Sequence, residues 1–265
     1  MTLIAQFNEM ILEQVEYREL LYQMTLRDLL LRYKQTVMGF GWAIFMPLVN
    51  TAIFSVIFTR VARIETPVPY PLFAFCGFLF WNFFASSLRF SVLSLTSNSN
   101  LVTKVYFPRE IFPFSAVLVC LVDLAVGSIL LAGLMFYYGI AISPALFFLP
   151  VVLAVLLAFT AGLALLLAMS NLYYRDIKYL FEVGITVWMF STSVVYPVES
   201  VGGRLGQLLA LNPMTQLIEA CRSVMLYGRL PAAGPFTAAA VVSILVLFAG
   251  WQIFHRAEFA FAENV

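Results

Sequence analysis

The chain has 265 residues, of which 62% are hydrophobic and only 11% are charged, and its formal net charge is +1. This composition excludes an ordinary soluble domain and predicts an all-α integral membrane protein, since uninterrupted apolar runs this long are typical of spanning helices. The near-neutral charge gives no indication of a nucleic-acid partner. Cys76, Cys120 and Cys221 are dispersed in or beside apolar segments, so we expect neither a disulfide framework nor a metal site.

Residues 1–36 precede the first long apolar run and predict an amphipathic helix at the membrane interface. Its first apolar face contains Leu3, Ile4, Phe7, Ile11 and Val15. A second apolar set begins near Leu26 in a different register, which predicts a bend near Thr25. The acidic face of this helix is either solvated or covered by a protein partner. The start of the chain lacks a basic region and a cleavage site, so we expect no secretory signal and targeting by the first span.

Uncharged runs, one of them divided by a turn near Gly139, predict six membrane spans. These lie near residues 38–59, 70–91, 112–138, 145–170, 182–198 and 235–254. With the amino terminus in the cytoplasm, five of the 15 basic residues fall outside, which leaves ten inside. The five are Arg60, Arg63, Arg204, Arg222 and Arg229. This imbalance predicts that both termini are cytoplasmic.

Two cytoplasmic connections are rich in polar side chains. In the loop of residues 94–110, Asn98 or Asn100 is suited to cap a short helix that extends to Val105. We expect Lys104, Arg109 and Glu110 to be exposed charges, which serve either solubility or contact with a partner. The second connection is a tight turn that contains Arg175 and Asp176.

Two features inside the predicted spans concern helix packing. Ala154, Ala158 and Gly162 recur every four residues in span four, a spacing that lets helix backbones approach closely in lipid. Asp123 lies inside span three, where burial of a carboxylate is costly. We favour a bond from Asp123 to a neighbouring helix over a role in proton transfer.

The stretch from residue 183 to residue 231 begins as a span and then breaks up. Its uncharged run covers residues 183–198, a little short of the ~20 residues that a helix needs to cross the bilayer. Residues 198–231 then form two short amphipathic segments, interrupted by glycine and proline. The prediction is a hairpin that enters the membrane and closes one end of a pathway; the alternative is an extramembrane loop. The candidate gate residues are Pro197, Asn212, Pro213 and Arg222.

Motifs for catalysis are absent from the sequence. No phosphate-binding loop or G-x-S-x-G motif occurs, and His255 is the only histidine. We therefore expect no enzyme activity, no ATP hydrolysis, no cofactor and no metal in this chain. A secondary carrier and a non-transporting scaffold remain alternatives, although a carrier usually places several charges near the midplane.

Aromatic residues, which make up 16% of the chain, are the remaining chemical signal. They act either as interface anchors or, collectively, as flat apolar platforms for sugar rings along a path. The candidates on spans one and five are Trp42, Phe45, Phe54, Phe58, Trp188, Phe190 and Tyr196.

Five short strings occur in a characteristic order along the chain. They are Gly39-Phe40-Gly41-Trp42 with Pro47, Tyr106-Phe107-Pro108-Arg109-Glu110, Asn171-Leu172-Tyr173-Tyr174-Arg175-Asp176, Tyr196-Pro197, and Asn212-Pro213-Met214. Through these strings the whole chain resembles the membrane subunit of the type-2 ABC exporters for bacterial surface polysaccharides, such as the O-antigen and teichoic-acid permeases. The resemblance implies one permease domain over residues 1–265.

The resemblance also implies partners. These are a second copy of the chain, two separate ATPase subunits that bind ATP and Mg, membrane lipid, and an undecaprenyl-linked glycan that crosses to the outer face of the bacterial inner membrane. Spans one and five would line the channel, and residues 198–229 would form the exterior gate. The coupling helix near 97–105 would dock into the ATPase, with contacts from Asn98, Asn100, Lys104, Tyr106, Arg109 and Glu110.

The loop strings of capsule-type relatives differ from those of this chain, which favours O antigen or a similar glycan. Teichoic acid, capsular polysaccharide and a small molecule or drug carried by the same superfamily remain alternatives as the substrate.

Overall fold

The computed structural model describes residues 12–34, 36–39, 41–58, 66–104, 107–198 and 201–258. Residues 1–11 of the predicted interfacial helix and the candidate contact residue Tyr106 lie outside the described residues. The α-helices are α1 Arg18–Tyr33, α2 Gly41–Val56, α3 Tyr70–Ser97, α4 Ser99–Lys104, α5 Ile111–Tyr137, α6 Leu149–Tyr173, α7 Ile177–Phe190, α8 Gly203–Ala210, α9 Pro213–Met225 and α10 Ala233–Ala257. The all-α prediction is confirmed for the described residues.

Four helical segments are long and apolar enough to cross a membrane. They are α3, α5, α10 and the segment Pro144–Tyr173, in which a 3₁₀ turn leads into α6. These four correspond to the predicted second, third, fourth and sixth spans. Helix α2 has 16 residues and α7 has 14, both below the ~20 residues of a full crossing. The first and fifth predicted spans are therefore present as shorter helices, and α7 ends at Phe190, well before Val198.

Helix α3 is the centre of the bundle. It packs against α2, α5, α6, α7 and α9, and 83% of its most apolar 18-residue stretch is buried inside the protein. A helix that is hydrophobic on every side is stable only inside a protein or a membrane. Its fully buried rings include those of Phe73, Phe75, Phe78, Phe80 and Phe84.

Helices α6 and α10 cross at two glycines. A Cβ atom on Gly162 would lie 2.6 Å from the backbone of Leu247, and one on Gly250 would lie 2.5 Å from the carbonyl oxygen of Gly162. The predicted close packing at Gly162 is confirmed. Ala154 is exposed, however, so the first part of the small-residue stripe does not take part in this crossing.

The amino-terminal helical region bends at Tyr17, between a helical stretch over residues 12–16 and α1. The predicted bend near Thr25 is wrong. The Thr25 hydroxyl donates to the carbonyl oxygen of Leu21 (2.7 Å), so this residue is accommodated inside the helix without a break. Helix α1 then runs beside α5, where the Ser115 hydroxyl donates to Asp28 (3.3 Å).

Helices α8 and α9 form a helical hairpin. Helix α9 runs alongside α3, starting near the middle of α3 and ending near its first turns. Asn212, just before α9, accepts a hydrogen bond from Trp188, whose ring lies 5.2 Å from that of Phe84. Arg222, in the last turn of α9, lies against Phe73. Phe84 and Phe73 are about 16 Å apart along α3, at 1.5 Å per residue. Helix α9 thus lies along α3 between the levels of Phe84 and Phe73, while the entry of the hairpin into the membrane and its role as a gate stay predictions.

Candidate substrate cavity

A cavity of about 520 Å³ opens between the end of α1, the first half of α2, the middle of α3 and the first half of α5. We call it the Trp42 cavity. The end of α1 and the start of α2 lie at the end of the bundle that the charge distribution predicts to be cytoplasmic, and the cavity extends from there toward the middles of α3 and α5. The wall combines aromatic rings with amide, hydroxyl and charged groups. These residues include Tyr33, Trp42, Phe83, Arg32, Asn50, Asn82, Ser86, Arg89 and Asp123.

One wall of the cavity is held by Asp123. Its Oδ2 atom lies 2.7 Å from Nη1 of Arg32, and the Tyr33 hydroxyl donates to its Oδ1 atom. The Arg32 guanidinium also lies over the ring of Phe90, 4.3 Å from its centre. The predicted bond from Asp123 to a neighbouring helix is confirmed, and that helix is α1. Because α1 precedes the first span, this ion pair fixes the amino-terminal helix against the bundle.

Trp42 gives the cavity an accessible aromatic surface. Its side chain is 38% exposed, and the Phe45 ring packs edge-on against it at 5.6 Å. An amide offers both donors and acceptors, so Asn50 and Asn82 suit the hydroxyl groups of a sugar, while Trp42 suits its apolar face. The arrangement can bind a polyhydroxylated molecule without any catalytic group.

The other candidate channel aromatics have different surroundings. The Phe54 ring lies tilted against that of Phe78 (5.2 Å) and the Phe58 ring stacks on that of Tyr70 (5.7 Å), so both pack against α3. Trp188 packs edge-on against Phe84 and donates to Asn212 (3.1 Å).

Of the two remaining candidates, Phe190 is the last residue of α7 and Tyr196 lies in the irregular stretch that follows. Phe190 is exposed, and the Tyr196 hydroxyl donates to its carbonyl oxygen (2.6 Å). The structure thus places Trp42 in the cavity and Phe45 beside it, and distributes the other aromatics elsewhere. Sugar contact stays a prediction for all seven.

Sequence reasoning missed an ion pair next to the cavity. Arg89 of α3 donates twice to Glu182 of α7, at 2.7 and 2.9 Å, and so joins the two helices. In the sequence, Arg89 and Arg32 count only among the ten basic residues predicted to lie inside. The amides of Asn50 and Asn82 were missed too, although polar side chains inside apolar runs are a usable signal of a site.

The Arg222 side chain is completely buried, at the end of the bundle that the charge distribution predicts to lie outside. It donates to Glu219 (2.7 Å) and to the carbonyl oxygens of Ser193 (2.6 Å) and Val194 (2.6 Å). Helix α7 ends at Phe190, so these carbonyls have no place in a helical ladder and need other donors. Gly77 makes room for the guanidinium, since a Cβ atom there would lie 2.3 Å from Nη2 of Arg222.

The other candidate gate residues also stabilise the hairpin. Asn212 accepts a hydrogen bond from the N–H of Met214 (3.0 Å) and donates to the carbonyl oxygen of Ser191 (2.9 Å). Pro213 occupies the first position of α9, where a missing N–H costs nothing. Pro197 is buried beside the broken stretch. All four candidates are therefore packed into the protein.

The predicted coupling loop contains α4, and its candidate contact residues are either exposed or bonded to other parts of the chain. Asn100 is exposed, while Asn98 accepts a hydrogen bond from Arg27 of α1 (2.9 Å). The expectation that Glu110 is exposed is wrong, since it is only 1% exposed. Half-buried Arg109 donates to the carbonyl oxygens of Val102 (3.1 Å) and Glu258, because the end of α10 folds over this loop.

A smaller hollow of about 290 Å³ adjoins α4. It is lined in part by Ser99, Asn171, Arg175 and Lys178. Asn171 donates to the carbonyl oxygen of Val92 (2.9 Å), which fixes the end of α6 against α3. Arg175 and Asp176 are exposed in the turn that follows α6. The two predicted cytoplasmic connections thus meet at one surface.

Glu110, His255 and Glu258 come together beside this surface. Nδ1 of His255 lies 3.2 Å from Oε1 of Glu110 and 3.7 Å from Oε2 of Glu258. Burial and the nearby Glu110 carboxylate raise the pKa of Glu258 to about 7. Among the described residues, these three are the group whose ligand atoms are close enough to hold a metal ion.

Comparison with known proteins agrees with this architecture. The model of the family described as ABC-2 type transporter matches residues 19–226, from α1 to the end of α9. The chain belongs to this family. It is thus a multi-pass membrane protein of the transporter class, and helices α1 to α9 lie in the matched region.

Several curated proteins resemble this ABC-2 transporter chain over almost its full length. The O-antigen export system permease protein RfbA of Myxococcus xanthus is 32% identical over 96% of this chain and 98% of the relative. RfbA of Klebsiella pneumoniae is 28% identical over 92% of this chain and 94% of its own length. The polysialic acid transport protein KpsM of Escherichia coli is 21% identical over 88% of this chain and 91% of its own length.

Proposed function

We propose that this chain is the membrane permease of an ATP-driven exporter that moves a lipid-linked polysaccharide across the bacterial inner membrane. The Trp42 cavity carries the proposal, because it combines an accessible indole with amide and charged groups in a chain of the ABC-2 family. The similarity to two O-antigen export permeases supports a glycan of that class. The chain itself supplies the path, with both termini in the cytoplasm and an undecaprenyl-linked glycan as cargo.

The exporter is a homodimer, with the path between the two copies. Helices α2 and α7 support this arrangement, since both are short and both leave large apolar side chains exposed. Examples are Phe45 and Ile53 on α2, and Val183 and Val187 on α7. In the proposed dimer these two helices face the path and α3 supports them from behind. The α8–α9 hairpin closes the path at the outer end, and α7 with its irregular continuation completes the fifth span.

Two ATPase subunits drive transport from the cytoplasmic side. Exposed Arg175, in the turn after α6, lines the hollow together with Ser99 of α4, and exposed Asn100 is the next residue of α4, which suits a docking surface. Arg175→Glu is expected to reduce co-purification of the ATPase subunit, with Arg229→Glu at the opposite end as the control. Normal co-purification of the Arg175→Glu variant would exclude this turn from the docking surface.

Export is the decisive test of the proposed cargo. Cells that lack this chain are expected to accumulate lipid-linked glycan inside and to lose surface glycan. Complementation with the double variant Asn50→Ala, Asn82→Ala is expected to restore membrane insertion but to leave export several-fold reduced. Thr237→Ala, on the exposed surface of α10, is the control and is expected to restore export fully. Full export by the double variant would contradict a role of the cavity in glycan binding.

An acidic polysaccharide is a second candidate cargo, favoured by the similarity to a polysialic acid transport protein. The lipid-linked glycan that accumulates after removal of the chain distinguishes the two. A neutral O-antigen repeat supports the first candidate, and a sialylated or otherwise acidic polymer supports the second.

A further inference from the structure

We propose that Glu110, His255 and Glu258 bind a divalent transition-metal ion, with Zn²⁺ as the ion of best fit, and that the ion fastens the coupling loop to the end of α10. We call these three residues the Glu110 cluster. The proposal is independent of the cargo that the protein exports.

The distances in the cluster suit a tetrahedral ion. One ligand atom from each residue lies within 4.8 Å of the other two, and His255 Nδ1 lies 3.2 and 3.7 Å from the two carboxylates. Zinc binds nitrogen and oxygen ligands at about 2.0–2.2 Å, which places neighbouring tetrahedral ligands roughly 3.3–3.6 Å apart. A small adjustment of these side chains therefore brings all three into the first coordination sphere. One imidazole with two carboxylates is a ligand set that zinc accepts.

Glu110 provides a second, independent indication of a cation. The residue is 1% exposed, and its buried Oε2 atom has no hydrogen-bond partner among the residues that the structure describes. A buried carboxylate oxygen costs free energy unless it is paired or coordinates a metal. This orphaned oxygen belongs to the same carboxylate that faces His255, so an ion within the cluster is placed to satisfy it.

The surroundings of Glu258 are those of an oriented ligand. Its Oε1 atom accepts a hydrogen bond from the backbone N–H of Arg109 (3.0 Å), while its Oε2 atom faces His255. The Arg109 guanidinium donates to the backbone carbonyl of Glu258 and thereby holds the end of α10. Hydrogen bonds of this kind fix the direction of metal-binding carboxylates. Glu13 adds a further negative charge near His255.

The position of the cluster defines what the ion would do. Glu110 directly precedes α5 and ends the predicted coupling loop, while His255 and Glu258 lie at the end of α10, 145 residues or more away in the chain. An ion bound there would cross-link the loop to the last helix and so stabilise the surface proposed to meet the ATPase. Because the ligands are so far apart in the sequence, the site has no local metal-binding motif.

Metal content and affinity test the proposal directly. The full-length protein, purified with a histidine-free tag and stripped with a chelator, is titrated with Zn²⁺ alone. We expect one bound ion per chain and a higher Tm after zinc is added. His255→Ala is expected to bind at least about tenfold more weakly, since even changes outside the ligand shell cost about 10–100-fold. His255→Cys retains a zinc ligand and is expected to recover most of the affinity.

Two controls separate a built site from surface binding and misfolding. Glu16→Gln removes an exposed carboxylate of the amino-terminal helical region and is expected to leave the zinc affinity unchanged. Wild-type protein that binds no zinc stoichiometrically would overturn the proposal, whatever the variants do. Equal affinity in wild type and His255→Ala would overturn it as well, and a Tm that responds to pH but not to zinc would show a proton-sharing cluster instead.

Discussion

The two ends of the bundle each contain an arginine that bonds across helices, but their surroundings differ. Arg222, at the predicted outer end, has no solvent exposure and donates to Glu219 and to two backbone carbonyls that lie beyond the end of α7. Arg32, at the predicted cytoplasmic end, is 27% exposed and borders the open Trp42 cavity. A fully buried arginine that donates to backbone carbonyls stabilises the fold, whereas an arginine at the wall of a cavity can also contact a ligand.

The largest expected effect is the loss of Arg222. Arg222→Leu leaves the carbonyl groups of Ser193 and Val194 without these donors, and removal of one partner from such a buried network costs about 3–5 kcal/mol of unfolding free energy. We expect lower membrane levels and a lower Tm in detergent, which fluorescence-detected size-exclusion chromatography after heating measures. Gly77→Ala, which places a methyl group against the same guanidinium, is expected to destabilise the same end of the bundle.

Arg229→Leu is the matched control, because Arg229 is exposed on the same segment. Its Tm is expected to stay close to that of the wild type. If Arg222→Leu and Arg229→Leu behaved alike, the buried network would not stabilise the hairpin, and the contrast between the two ends would be lost.

The difference between Arg222 and the long helices shows what sequence reasoning can reach. Helices α3, α5, α6 and α10 follow from the length and hydrophobicity of their own segments. The burial of Arg222 does not, because its partners come from α3 and from the break after α7, which are remote in sequence. A count of basic residues assigns Arg222 to one side of the membrane and carries no information on whether the side chain is buried.

The Trp42 cavity, too, could be predicted from the sequence only in part. Trp42 and Asp123 were identified from the sequence because an indole near the interface and a carboxylate inside a span are unusual enough to stand out. Their convergence with Arg32, Asn50 and Asn82 depends on how four helices pack, and no local pattern encodes that arrangement. Glu110 is buried for a similar reason, because the end of α10 folds over the coupling loop.

The second prediction compares the two tryptophans. Trp188→Ala removes a ring packed against Phe84 and Phe159 and a hydrogen bond to Asn212, so we expect a loss of stability of up to about 3–5 kcal/mol. Trp42→Ala removes a ring at an open cavity, so stability is expected to change little while glycan export falls several-fold. Surface glycan and Tm are measured in parallel. Equal losses of stability in both variants would show that Trp42 is as structural as Trp188.

The third prediction concerns Arg32 and Asp123. Arg32→Ala leaves a half-buried carboxylate without its cation and is expected to cost about 1–3 kcal/mol. Asp123→Asn keeps the shape of the side chain and should cost less. In the double variant the penalties are expected not to add, because both changes break one interaction. Additive losses, measured as shifts in Tm, would mean that the two side chains act separately.

The smallest effect is expected at the ion pair between Arg89 and Glu182. Both side chains are almost half exposed, and pairs of this kind contribute about 0–1 kcal/mol. Arg89→Gln should therefore leave Tm nearly unchanged. The pair nevertheless joins α7 to α3 beside the cavity, so a change in export without a change in stability would identify it as part of the path.

Glu182→Gln removes the same bond from the other helix and keeps Arg89 in the cavity wall. A defect in Arg89→Gln alone would assign the effect to contact between Arg89 and the cargo, whereas equal defects in both variants would assign it to the position of α7.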